Sequence, residues 1–199
     1  MYTPDHFESQ ESALEMLRRH GFGVLVSAGQ EDLHTTHLPY WVSGDGKIIE
    51  VHMARANPHW QFLETHPACR LVVQGDHAYV SPSWYATAKS VPTWNYEAVH
   101  VDATAELVRD PEGLWGMVSR MSDLFEEAGS SWAYSALPES MRSPLLNSIV
   151  GVRLQINRGH AKQKLSQNRS KADRRRVAEE LRKRGDCSLA DRMLGLLED

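Results

Sequence analysis

Residues 51–60 read VHMARANPHW, and a change of period inside them decides the fold. The residues leading in, Lys47 to Met53, are rich in β-branched and apolar side chains and have the composition of a half-buried strand. Asn57-Pro58 followed by His59-Trp60-Gln61-Phe62-Leu63 reads instead as a helix start. The join is therefore strand, short turn, helix. Asn57 is a favoured N-cap, Pro58 suits the first helical position, and Arg55 stands just ahead of an N-terminus whose free N–H groups and dipole attract anions. A phosphate fits such a junction, and a capped helix beside a solvated arginine accounts for the same ten residues.

Working outward toward the N-terminus, residues 9–20 place Leu14, Met16 and Leu17 on one side of a helix that Gly21 stops. Phe22 to Ser27 reads as a strand and Leu33 to Val42 as a second. Gly44-Asp45-Gly46 is a hairpin turn into the strand ending at His52, which makes an antiparallel meander. In the other direction, a short helix runs from Pro58 to about Thr65. Residues 69–75 then form a strand whose hairpin partner is 76–82, and 83–93 form a loop. Trp94 to Val108 is a long alternating strand, and 110–128 a helix with Leu114, Met117 and Met121 at core spacing. A loop marked by Pro138 and Pro144 leads to a last strand at 149–156. Six or seven strands with turns at short intervals and few helices predict a mainly β fold with peripheral helices, an antiparallel barrel or sandwich.

From Gly159 the composition shifts. Residues 158–184 hold 11 Lys and Arg against 3 Asp and Glu. They contain a helix over 170–184 ended by Gly185, and a second follows over 188–197 with Leu189, Met193 and Leu196 on its apolar side. The expected organisation is a domain over 1–157 and a basic loop with a C-terminal helical extension over 158–199. The whole chain of 199 residues carries a net charge of −4, so attraction to nucleic acid or an anionic membrane has to come from a local patch. Cys69 and Cys187 form no CxxC pair, which suits a reducing compartment. There is no basic-then-apolar leader and no apolar run of bilayer length, so a cytoplasmic location is expected and no membrane partner.

Classical catalytic signals are lacking: there is no nucleophile elbow, no Ser-His-Asp order and no phosphate-loop glycine pattern. Cys69 precedes an apolar strand and reads as a small buried residue. His37 and His52 lie two strands apart in the meander and are placed to face each other across a hairpin. No third ligand of suitable spacing accompanies them, so no metal site is expected.

Six pieces, in order along nearly the whole chain, resemble the PaiB family. They are residues 1–7 (MYTPDHF), His37-Leu38-Pro39, the segment from His52 to Trp60, residues 79–85 (YVSPSWY), residues 91–96 (VPTWNY) and residues 164–169 (KLSQNR). The last two together are the specific ones. His160-Ala161-Lys162-Gln163 departs from the glycine and aromatic pattern more usual before KLSQN. The resemblance implies an antiparallel FMN-binding split barrel plus the helical extension, a homodimer with FMN at the subunit interface, and a role as a negative transcriptional regulator.

FMN asks for cations and N–H groups at its phosphate, a flat wall for its ring, and polar groups at the ring edge and ribityl chain. Arg55 and Asn57 are the phosphate candidates, because a guanidinium makes two charge-assisted bonds to one phosphate. The resemblance places KLSQN near the cofactor, which adds Lys162 or Lys164. Trp94, Tyr96 and Trp84 are the wall candidates. Thr93, Asn95, Ser166, Gln167 and Asn168 suit the ring edge or ribityl hydroxyls, and His37 and His52 suit the ring edge or simple burial. Arg174, Arg175 and Arg176 are the residues through which a regulator would touch DNA. Two alternatives remain open at this level. One is an FMN-dependent oxidoreductase, a flavin reductase or oxidase acting on a small molecule. The other is a haem-binding relative using His37, His52 or His100 as axial ligand.

Overall fold

A computed structural model describes residues 1–9, 12–86, 90–127, 130 and 132–197. The strands are β1 (Phe22–Ala28), β2 (Leu33–Pro39), β3 (Trp41–Val42), β4 (Ile48–Ala54), β5 (Ala68–Val80), β6 (Thr93–Val108) and β7 (Ile149–Lys164). The α-helices are α1 (Ala13–His20), α2 (His59–Thr65), α3 (Pro111–Phe125), α4 (Glu139–Asn147), α5 (Lys171–Lys183) and α6 (Cys187–Gly195). They pack as two compact units. The first comprises Met1–Ala13, Gln74–Val99 and His160–Asp199, and the second Leu14–Val73 and His100–Gly159.

All seven strands contribute to the second unit, in the sheet order β2-β1-β5-β6-β7-β4-β3. The pairs β1–β2, β1–β5, β3–β4 and β4–β7 are antiparallel: Val24 faces His37 across β1 and β2, and Val72 of β5 on its other side, while Val51 of β4 faces Val152 of β7. The two edge strands, β2 and β3, are consecutive in the chain and joined by Tyr40 alone. Since neighbouring Cα atoms are about 3.8 Å apart, that single residue forces the two edges of the sheet together, and the sheet curls into a barrel. Tyr40 is buried, its N–H donates to the Gly21 carbonyl at 2.9 Å, and its hydroxyl donates to the Leu17 carbonyl at 2.8 Å. Burial also pushes its hydroxyl far above the ordinary tyrosine range. Inside lie Leu25, Ile49, Val51, Leu71, Val101, Val152 and Leu154, all fully buried. Against them α1 brings Met16 and Leu17, and α3 brings Leu114 and Met117.

In the first unit, α5 and α6 pack Val177, Ala178, Leu181, Leu189, Ala190 and Met193 around Ala78, Val80, Trp84 and Leu165. Ser170 caps α5 by accepting from the Asp173 N–H at 3.1 Å, and Gly185 ends that segment at φ +92°, a conformation glycine adopts without penalty.

Four expectations change. The strand expected over Leu33 to Val42 is two strands, β2 and β3, because its halves pair with β1 and β4 at opposite edges. The expected hairpin at Gly75-Asp76 is absent: β5 runs straight through, and Gly75 has none of the positive φ that a two-residue hairpin turn demands. β7 continues to Lys164 instead of ending at Ile156. The loop expected between Pro138 and Pro144 is helix α4, held by Arg142, whose guanidinium donates to the Leu137 and Ser135 carbonyls at 2.8 Å and lies 4.2 Å over the Trp115 ring.

The closure makes a stability prediction. Tyr40→Phe, which leaves the Leu17 carbonyl without its partner, should cost about 1 kcal/mol, and Tyr40→Ala about 4 kcal/mol. Urea midpoints at constant slope check both. Equal, negligible losses would mean that the link does not hold the barrel closed.

Candidate functional site

In the first unit, the segment from Gln163 to Arg169 is bonded back onto itself and onto the start of β6. Lys164 Nζ donates to Thr93 Oγ1 at 2.6 Å. Ser166 is the single non-glycine residue among those described with a left-handed backbone, φ +63°, a conformation that costs a residue with a β-carbon about 1 kcal/mol or more. Gln167 offsets that cost. Its Oε1 accepts from the Leu165 N–H at 2.7 Å, and its Nε2 donates to the Gln163 carbonyl at 2.6 Å. The turn delivers the Ser166 hydroxyl to Asn95 Oδ1 at 3.1 Å, both residues being buried. Beneath them Gln163 Nε2 donates to Glu97 Oε1 at 2.8 Å, again both buried.

These residues border a cavity of about 260 Å³. Five sequence candidates line it: Thr93, Asn95, Lys164, Ser166 and Asn168. Phe7, Tyr85, Val91, Pro92 and Arg169 complete the lining, so among the described residues it contains two cations and no carboxylate. Lys164 Nζ sits 5.8 Å from the Phe7 ring centre, and the Arg169 guanidinium lies 4.5 Å over Tyr85. Tyr85 is buried, and its hydroxyl has no hydrogen-bond partner among the described residues.

Strand alternation sorts the remaining candidates. Trp94 lies on the other face of β6 from buried Asn95, is 53% exposed, and meets Tyr79 edge-on at 6.1 Å. Tyr96 shares that face and lies 5.3 Å from Lys162 Nζ, which donates to the Tyr2 carbonyl at 3.2 Å. Trp84 is in the core, with the Arg184 guanidinium 4.7 Å above it. None of these aromatic residues, nor Lys162 or Gln167, lines the cavity.

In the second unit, Arg55 braces the join between α4 and β7. Its Nε donates to the Asn147 carbonyl at 2.7 Å, its Nη2 to Ile149 at 2.9 Å and its backbone N–H to Ser148 at 2.7 Å. Helix α2 begins one residue later than expected, with Pro58 ahead of its first residue, and Asn57 Oδ1 accepts from the His59 N–H at 3.0 Å. The Asn57 amide also donates to Thr36 Oγ1 at 3.1 Å, and the Thr36 hydroxyl pairs with His59 Nδ1 at 2.8 Å. His59 Nε2 pairs with Ser27 Oγ at 3.0 Å. Burial, with His34 alongside, holds the His59 pKa down to about 4, so near neutral pH the imidazole is uncharged, one ring nitrogen donating and the other accepting.

His37 and His52 do not face each other across a hairpin, since β2 ladders with β1, and β4 with β3 and β7. His37 is exposed. His52 has its Nδ1 buried without a partner among the described residues, and burial lowers its pKa. Among the described residues no cluster of three metal-ligating side chains occurs. Cys69 is buried as expected, its thiol pointing to the Ala103 carbonyl at 3.6 Å and its pKa pushed up to about 12 by burial. The basic tail is largely used internally. Arg182 pairs with Asp191 at 2.5 Å and Lys183 with Glu180 at 2.7 Å. Arg174, placed on a DNA-facing surface by the sequence reading, is instead buried with its Nη2 on the Met193 carbonyl at 3.2 Å, while Arg175 and Arg176 are exposed.

Residues 1–158 match the family described as "Putative FMN-binding domain". The chain belongs to that family. The chain is 30% identical over 203 residues to the protease synthase and sporulation protein PAI 2 of Bacillus subtilis, covering 100% of this chain and 97% of the relative. The PaiB resemblance thus holds over the full length. An uncharacterized protein of Saccharomyces cerevisiae is 34% identical over 155 residues, 64% of this chain and 91% of its own. Among solved structures, the flavocytochrome Anf3 of Azotobacter vinelandii superposes with a TM-score of 0.62 at 16% identity, over 83% of this chain and 72% of its own. The FAD and heme binding protein of Mycobacterium smegmatis gives 0.61 at 14%, over 78% and 71%. At such identities the likeness shows the fold, an antiparallel split barrel.

The FMN-binding-domain match ends at residue 158, so Lys164, Ser166, Asn168 and Arg169 lie beyond it, while Thr93 and Asn95 lie within it. Five lining residues, Phe7, Tyr85, Val91, Pro92 and Arg169, escaped the residue-by-residue reading. Each lies at an end of one of the segments that carry the resemblance, which is the signal that could have found them.

Two predictions follow from the second-unit geometry. Because the folded His59 pKa lies below the ordinary value of 6.5, its contribution is complete above pH 6.5 and fades as pH falls toward 4. The loss amounts to at most about 3 kcal/mol. Denaturant melts of wild type and His59→Asn across that window check it, the variant showing the shallower slope. Arg55→Ala should lower stability by about 1 kcal/mol through loss of its hydrogen bonds to the Asn147 and Ile149 carbonyls, read as a drop in the urea midpoint.

Proposed function

We propose that the protein binds FMN, with the phosphate-bearing end of the cofactor in the first-unit cavity. One observation carries the reading: a cavity lined, among the described residues, by two cations and no carboxylate, beside buried amide and hydroxyl groups, in a chain whose net charge is negative. The residues fit the group. Lys164 and Arg169 supply charge-assisted bonds to a phosphate. Asn95, Ser166, Asn168 and Thr93 supply the mixed donors and acceptors that ribityl hydroxyls need. At about 260 Å³ the cavity is below the usual size for a whole cofactor, so it takes one end and leaves the ring for another surface. A second copy of the chain is the natural source of that surface, which makes the functional form a homodimer. When bound, FMN supplies a redox centre able to pass one or two electrons. The chain's own residues bind and orient it. The FMN-binding family and the relation to PAI 2 support the reading. A regulatory role through DNA contact would rest on Arg175 and Arg176, since Arg174 is committed to the interior.

Absorption titration with FMN tests the assignment. Arg169→Ala and Lys164→Ala should each weaken binding about tenfold to a hundredfold, the worth of one charge-assisted bond, whereas Arg55→Ala should change affinity less than threefold while lowering stability. Loss of affinity confined to Arg55→Ala would move the phosphate to the second unit. A wild-type chain that binds no FMN would refute the reading altogether.

A further inference from the structure

The C-terminal helix α6 contains no cavity-lining residue, yet it touches the cavity's most deeply buried polar group. Asn95 is fully buried, and its amide Nδ2 donates to Met193 Sδ at 3.3 Å. A thioether sulfur only accepts, so Met193 decides which way round the amide sits. With the NH₂ on the sulfur, Oδ1 faces Ser166, and the Ser166 hydroxyl spends its proton there. Ser166 is then presented to any ligand as an acceptor. Met193 is itself placed by Arg174, whose Nη2 donates to the Met193 carbonyl at 3.2 Å.

Arg174 is an expensive means of packing α5 on α6. It is buried, its Nε has no partner among the described residues, and a leucine or methionine there would avoid burying a cation on a neutral carbonyl. We propose that Arg174 and Met193 are positioning residues of the ligand cavity: Arg174 fixes the α6 backbone, Met193 orients the Asn95 amide, and the amide sets the hydrogen-bonding sense of Ser166. The ligand class recognised is one that donates a hydroxyl to Ser166 while its anionic end meets Lys164 and Arg169, a phosphorylated polyol. The choice of FMN as its example rests on the proposed function above. The relay also makes residues beyond the FMN-binding-domain match part of the site.

The test uses the full chain. Met193→Leu keeps the volume and removes the acceptor, and Arg174→Met keeps the length and removes the charge. Two readouts are taken: the proton and nitrogen shifts of the Asn95 side-chain NH₂ group in the ligand-free protein, and FMN affinity. Both variants should shift the Asn95 NH₂ resonances and weaken FMN about tenfold, with far-UV circular dichroism unchanged, and Arg174→Lys should recover part of the loss. Unmoved Asn95 resonances in folded Met193→Leu would overturn the relay, whatever the affinity. A wild type that binds no FMN, with the resonances shifted as expected, would uphold the relay and sink the flavin reading alone. Should Arg174→Met fail to fold, Met193→Leu decides.

Discussion

The single-residue link at Tyr40 is the constraint on which the second unit depends. Two strands that would otherwise be the open edges of a seven-stranded sheet are tied by one peptide step, and an edge that meets its opposite edge leaves little free backbone for another chain to pair with. The closure is stiffened where it is shortest. Tyr40 holds Gly21 through its backbone and Leu17 through its hydroxyl, so the end of α1 is fastened to the seam it covers. The buried aliphatic side chains inside supply most of the stabilising free energy. Tyr40 determines that they line an interior instead of one face of an open sheet.

The first unit follows a different logic. Its cavity is built from a strained residue and buried polar groups, each of which costs free energy unless its partners are present. Ser166 in the left-handed region, Gln163 on Glu97, and Asn95 between a hydroxyl and a sulfur are choices that an apolar core would not make. They are concentrated around one space lined with positive charge. The apolar packing of α5 and α6 on the other side of these groups provides the rigidity that keeps them aligned without a ligand.

Much of the fold was legible in the sequence, because alternation marks strands and caps mark helices. The alternating run up to Val108, the helix capped by Asp110, and the two C-terminal helices stand within a few residues of their expected bounds. Pairing was not legible. A strand-like run such as Leu33 to Val42 does not disclose that its halves belong to opposite sheet edges, and Gly75-Asp76 resembles a turn as much as a strand. The site was half legible. The KLSQNR segment announced itself, but the bond from Lys164 to Thr93 spans 71 residues and has no local signature. Arg55 looked like an anion anchor because its partners are backbone carbonyls at 147 and 149, which any residue type supplies. Arg174 looked solvated within a run of three arginines, and only the helix periodicity that turns Val177, Ala178 and Leu181 inward carries it to the interior with them.

The measurement that bears most directly on the account is calorimetric titration of the wild-type chain with FMN and, separately, with riboflavin, which differs by lacking the phosphate. A cavity whose described lining holds two cations and no acid predicts that FMN binds at least about a hundredfold more tightly, with an advantage that shrinks as salt is raised. Equal affinity for the two flavins at low salt would contradict it, since the charge in the cavity would then be doing nothing for the cofactor.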